Sequence, residues 1–338
     1  MSADVVCDKS LLDRRSKSLR EHCTVFSPLM SSPVRVEEQS KFALFGTLIA
    51  VVCLFIVPIK SLFSFALTSD LYSHVLLVPA VSLYFVWMGR KELEGLSGTA
   101  RSWSVIAVAA AVVVFATAQF GLGGAASLSV ENRVSGPILA FVFSIVGACA
   151  WWLGKNTLLR LAFPLGFLLF MVPFPTPVRE AIETFYQHTS AATAAAFFTV
   201  VGTPYFRDAT FFQLPGINLQ VAPECSGIRS SLALFITSIV AGQLFLRSRR
   251  KRLVLALAVI PLGILRNGLR VFTIGEMCVH LGPEMIDSPV HHRGGPLFFA
   301  LSLIPFGIFL FVLIKSDRKK FAASVKETAP RQRVAAKA

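Results

Sequence analysis

Repeated apolar runs of roughly 17 to 20 residues, parted by short loops that are often basic, constrain this chain more than any other feature. A run of that length matches the hydrocarbon thickness of a bilayer when coiled as an α-helix. The expected fold is therefore an all-α polytopic transmembrane helical bundle of about eight spans. They are expected near Phe42–Ile59, Tyr72–Met88, Val105–Leu122, Pro137–Leu153, Leu158–Val172, Ile228–Leu246, Leu253–Leu269 and Leu297–Ile314. Composition agrees: 54% of the 338 residues are hydrophobic and 15% charged, against about 25% charged in a soluble domain.

The net charge of +14 would suggest nucleic acid in a soluble protein. Here the Lys and Arg residues gather in short loops and in the C-terminal tail, which reads as topology determinants facing anionic lipid. Arg90, Lys91 and Arg101, then Lys155, then Arg247 to Arg252, then Lys315 to Lys320 all fall on one side if both termini lie there. That side is expected to be cytoplasmic. Residues 1–41 form a polar tail without an apolar signal-peptide core, so the first span is expected to act as an uncleaved anchor. Residues 42–316 form the membrane domain and residues 317–338 a basic tail. Both tails have the composition of disordered segments.

Between spans five and six, about Pro173 to Glu224, lies the longest non-spanning stretch of the membrane domain. A helix from Arg179 to Val201 has an apolar part, Ala191–Val201, too short to cross, so it is expected to lie on the surface or to re-enter. Thr210–Val221 alternates around Pro215-Gly216 and reads as a short hairpin that delivers Cys225 to the following helix.

Six cysteines, at 7, 23, 53, 149, 225 and 278, show no CxxC pair. Cys225 stands at a helix N-terminus on the expected outer face, where peptide dipoles favour the thiolate. Arg270 and His291 follow at steps of 45 and 21 residues and reach the same face. A thiol, a guanidinium to hold an oxyanion and an imidazole to move a proton are the parts of acyl transfer. Simpler readings stand beside this one. They are an inert span-end cysteine, arginines reaching headgroups, solvated loop histidines, and a Cys225–Cys278 disulfide. A metal held by His280, Cys278, Asp287, Glu284, His291 and His292 lacks any fixed ligand spacing. A transporter or envelope and exopolysaccharide assembly scaffold without chemistry would instead place polar groups at the bilayer midplane.

These residues also resemble the exosortase/archaeosortase family of membrane cysteine transpeptidases, from about Phe65 to Phe299. The resemblance rests on Asp70-Leu-Tyr-Ser-His-Val-Leu-Leu-Val-Pro79, Phe170-Met-Val-Pro-Phe-Pro175, Leu214-Pro-Gly216, Ala222-Pro-Glu-Cys-Ser-Gly227, Asn267-Gly-Leu-Arg270 and His291 to Gly295. It implies Cys225 as nucleophile, Arg270 as the oxyanion or substrate-positioning residue and His291 as general acid and base, with His292 open as the alternative. Arg266, Asn267, Ser226, Gly227, Arg229 and His74 are the expected supporting or substrate-binding residues. It further implies exported substrates with a Pro-Glu-Pro-type motif, a transmembrane helix and a basic tail. The active site would face outward, the product would pass to an envelope acceptor, and no cofactor, metal or nucleic acid would take part. Membrane lipids and exopolysaccharide biosynthesis machinery are the other expected partners.

Overall fold

In the computed structural model, residues 33–69, 71–93, 99–120, 129–223, 226–288 and 294–335 are described. Among them are ten α-helices and one three-stranded antiparallel sheet, the expected all-α bundle with its small hairpin region.

Two helices stand where the first span was expected: α1 (Pro33–Leu54) and α2 (Ile56–Thr68), bent by 66° at Phe55. Pro58 explains the break, since it cannot donate to the Leu54 carbonyl four residues back and its ring crowds that turn. A 3₁₀ turn, Ser73–Leu76, leads into α3 (Val78–Leu93), whose Pro79 falls harmlessly in the first turn. α4 (Arg101–Phe120) and α5 (Val130–Arg160) run antiparallel. α5 is the buried axis of the bundle, 61% buried over its apolar window against 11% for α4, which faces outward. Gly154, at φ +75°, breaks α5 near its end.

The fifth expected span is correspondingly divided. It comprises the last turns of α5, then α6 (Ala162–Phe167) and a 3₁₀ turn, Leu168–Met171. At Pro173 and Pro175 the chain turns by 89° into α7 (Thr176–Val201). α7 thus abandons the direction of α6.

The sheet follows. β2 (Phe211–Leu214) and β3 (Ile217–Gln220) pair across Pro215-Gly216 as expected. A third strand, β1 (Phe206–Asp208), was not expected; at three residues it is too short to show alternation. α8 (Ile228–Phe245) fills the sixth expected span. α9 (Arg249–Leu281) extends well beyond the seventh; its 33 residues span about 50 Å at 1.5 Å per residue. α10 (Gly295–Ala335) contains the eighth and continues through the tail expected to be disordered. That stretch is rich in good helix formers, Ala, Lys and Arg.

Five helices, α4, α5, α8, α9 and α10, are long and apolar enough to cross a membrane singly, giving up to seven spans if each bent pair counts as one. The expectation of about eight counted α3, which has only 16 residues.

Three cores hold the fold. The first joins α1 to α6 around Leu62, Tyr72, Ile138 and Phe167. The second packs α7 and the sheet on the last third of α9 through Ala194, Phe198, Phe212 and Ile274. The third joins α8, α9 and α10 through Leu234, Leu255 and Phe306. The start of α8 lies where α9 meets both the second and the third.

Candidate functional site

Cys225, His291 and His292 lie outside the described residues. The chain up to Pro223, from Ser226 to Ser288 and again from Gly294 is described.

The segment entering α8 is held by its own backbone. Ser226 N–H donates to the Pro223 carbonyl (3.1 Å), and Ser226 Oγ accepts from Ile228 N–H (3.4 Å), supplying an acceptor that the helix start lacks. Ser226 is fully buried. Gly227 then adopts φ +78°, a left-handed conformation that glycine reaches without steric cost.

There is a second reason for glycine here. A Cβ on Gly227 would sit 2.8 Å from Asn267 Cγ, so the amide of Asn267 occupies the space a side chain would need. The Gly227 carbonyl collects three donors: Ser231 N–H (3.0 Å), Ser230 Oγ (3.2 Å) and Arg266 Nη2 (3.2 Å). Arg266 Nη2 also donates to Ser231 Oγ (3.0 Å). Arg266 is 6% and Asn267 2% exposed. Its Nη1 is buried with no hydrogen-bond partner among the described residues. A buried polar atom left that way is costly, so Arg266 is not there for stability alone.

The element Arg266-Asn-Gly-Leu-Arg270 divides its labour by helix geometry. Arg266 and Asn267 meet α8. Gly268 meets α7, where a Cβ would come within 2.6 Å of Thr193. Arg270 lies one turn beyond Arg266 on the same face and is half-buried. It was expected at a span end; α9 in fact runs eleven residues further, to Leu281. The second core accounts for that extension, because Val271, Ile274 and Cys278 pack there against α7 and the sheet.

The other expected supporting residues are more peripheral. Arg229 is exposed in the first turn of α8. His74 sits in the turn between α2 and α3, its Nδ1 bonded to the Leu71 carbonyl (3.0 Å) and its ring beside Tyr72. The structure thus brings Ser226, Gly227, Arg266 and Asn267 into one group, with Arg270 adjacent, and ties His74 to its own turn and to the Phe170 backbone.

Cys278 is a free thiol buried in the second core. His280 pairs with Glu276 (3.0 Å), whose other oxygen accepts from Thr203. Among the described residues no three His, Cys, Asp or Glu side chains converge as metal ligands would.

Sequence reasoning missed the contribution of α7. Tyr186 is buried beside Gly263 and Ser231, and Gln187 Nε2 donates to the Val221 carbonyl (3.1 Å), holding the strand that leads to Cys225. At its start, Arg179 bridges Glu131 (3.2 Å) of α5 and Glu183 (2.7 Å), while Thr176 N–H donates to Asn132 Oδ1 (2.8 Å). One signal was available. Gly263, Gly268 and Gly275 punctuate an otherwise leucine-rich α9, and small residues mark where helices approach closely.

A family model described as Transmembrane exosortase (Exosortase_EpsH) matches residues 66–308, more than half of the chain. The chain belongs to the transmembrane exosortase family. No curated protein and no solved structure matches it. The matched range runs from the end of α2 into α10 and contains every expected site residue, from His74 to His292. It takes in the second core and most of the first and third, and leaves out α1, most of α2 with Phe55 and Leu62, and α10 beyond residue 308.

Proposed function

We propose that this exosortase-family protein is a cysteine transpeptidase that cleaves C-terminal sorting signals from exported proteins at the outer face of a bacterial inner membrane. One observation carries the reading. Gly227, two residues after Cys225, is clamped by Arg266 and Asn267 on the same helix segment that bears Arg270. The nucleophile's loop and the arginine element are thereby one unit of structure.

In this mechanism His291, or its neighbour His292, takes the proton of the Cys225 thiol. The thiolate attacks the carbonyl carbon of the scissile peptide, and the guanidinium of Arg270 holds the oxyanion through paired N–H donors. Collapse of the tetrahedral intermediate breaks the C–N bond. The imidazolium returns its proton to the leaving amine, which departs with the substrate's membrane helix and basic tail. The acyl group is left as a thioester on Cys225. An envelope nucleophile then attacks the thioester, gives its proton to the imidazole and releases the thiolate; water gives simple hydrolysis instead. The substrate helix packs laterally against the bundle, so that a Pro-Glu-Pro-type motif reaches the depth of Cys225. Arg266, Asn267 and Ser226 act through the loop rather than on the substrate. By family analogy the product serves an exopolysaccharide-linked envelope system.

Replacement of Cys225 decides the matter. Cys225→Ala should leave a co-expressed precursor at full length while the protein still inserts, and Cys278→Ala should process it normally. Full processing by the Cys225 variant would remove the nucleophile and with it the mechanism.

A further inference from the structure

At the end of α8 opposite Gly227, helices α8, α9 and α10 enclose a cavity of ≈ 430 Å³. Three guanidinium groups line it, those of Arg247, Arg252 and Arg318. Arg252 is held in place, its Nε donating to the Leu246 carbonyl (2.8 Å) and its Nη1 to Gln243. Asp317 is the one carboxylate in the lining, and both its oxygens are engaged. Oδ1 meets Lys251 Nζ (3.1 Å), and Oδ2 accepts from Arg247 N–H (2.8 Å). Lys251 balances Asp317, so Arg252 and Arg318 alone leave an excess of positive charge in one concave site. Such a site concentrates a field that favours an anion, and guanidinium forks match phosphate oxygens.

The rest of the lining says what else the ligand carries. Leu244, Phe245 and Ile314 form an apolar wall. Leu244 and Phe245 are exposed, and so are Phe311 and Val312 on the neighbouring turn of α10. A free inorganic anion would gain nothing from that wall, whereas acyl chains would lie along it.

We infer that this cavity binds the phosphate headgroup of an anionic phospholipid, with its chains along α8 and α10. The lipid joins the end of α8 to the start of α9 and to α10, far along α8 from the Gly227 end that meets the arginine element, and it is separate from the proposed reaction.

The test uses the full-length protein in mild detergent, titrated with phosphatidylglycerol, with phosphatidylcholine of the same chains, and with inorganic phosphate. Binding is followed by native mass spectrometry and by the unfolding midpoint. Phosphatidylglycerol should bind and raise the midpoint well above the other two. Arg318→Gln and Arg247→Gln, both exposed positions, should each weaken it about fivefold, with the lipid-free midpoint of Arg318→Gln unchanged. Equal binding of the two lipids, or wild-type affinity in both variants, would overturn the site. A full response to inorganic phosphate would overturn the lipid as its occupant.

Discussion

The two ends of the α8–α9 pair are both rich in arginine and treat it in opposite ways. At one end Arg266 is buried, and its hydrogen bonds go to neutral acceptors, the Gly227 carbonyl and the Ser231 hydroxyl. At the other end Arg247, Arg249 and Arg250 are exposed, and Arg252 is half-buried beside an acidic neighbour, Asp317. Exposed basic residues in a short loop orient a membrane protein and cost little. A buried guanidinium without a carboxylate costs desolvation that its hydrogen bonds only partly offset. The first end therefore sacrifices stability to hold a conformation, and the second does not.

The sharpest way to break that contrast is Arg270→Lys against Arg247→Lys. Lysine keeps the charge but loses the planar fork, which matters only where two donors must meet one oxyanion. Arg270→Lys should slow precursor processing about 100-fold or more, the scale of a lost oxyanion donor. Its unfolding midpoint should stay near wild type. Arg247→Lys should leave processing at the wild-type rate. Equal effects in the two variants would mean that both ends are merely topological.

Gly227→Ala should act on stability and activity together. The new Cβ meets Asn267 Cγ at 2.8 Å in a backbone with φ +78°. Left-handed strain and overpacking together should cost about 2–4 kcal/mol. Denaturant titration in detergent would measure that cost, and processing should fall with it because the Cys225 loop moves.

How far the sequence itself carried this picture depends on the kind of residue. Apolar length and the loop charges sufficed for the bundle, because bilayer thickness dictates one and topology the other. Ser226, Gly227, Arg266 and Asn267 could be singled out because they flank Cys225 and Arg270 in short elements, and they do form one group. Their division of labour could not be read, since it depends on which helix each face of α9 meets. Gly268 turns to α7 and Asn267 to α8 although they are adjacent. Span ends misled where tertiary packing took over. α9 continues past Arg270 because Ile274 and Cys278 have a core to enter, and the helix dipole assigned to Cys225 begins only at Ile228, after the left-handed turn at Gly227. His74 carried a family element, and its described hydrogen bonds go to the backbone of Leu71 and of Phe170 rather than to the arginine element.

Asp317→Asn probes the opposite end more gently. It removes the charge that Lys251 meets at 3.1 Å and weakens the acceptor for Arg247 N–H. Both side chains are partly screened, so the loss should be about 1–2 kcal/mol by thermal unfolding, and processing should be untouched. A loss of processing would show that the two ends are coupled through α8 and α9.

Gly242→Ala is the smallest effect expected and the cleanest counterpart to Gly227→Ala. Gly242 is helical, and an added Cβ would meet only Arg252 atoms at 3.6 Å, an ordinary contact. Alanine in a helix interior is favoured over glycine by roughly 1 kcal/mol, so this variant should be slightly more stable than wild type and fully active. The same substitution on one helix would then harm one end and help the other. If Gly242→Ala instead destabilised the protein as much as Gly227→Ala, the tight fit at Gly227 would be a general property of α8 packing. Nothing would then single out the turn that follows Cys225.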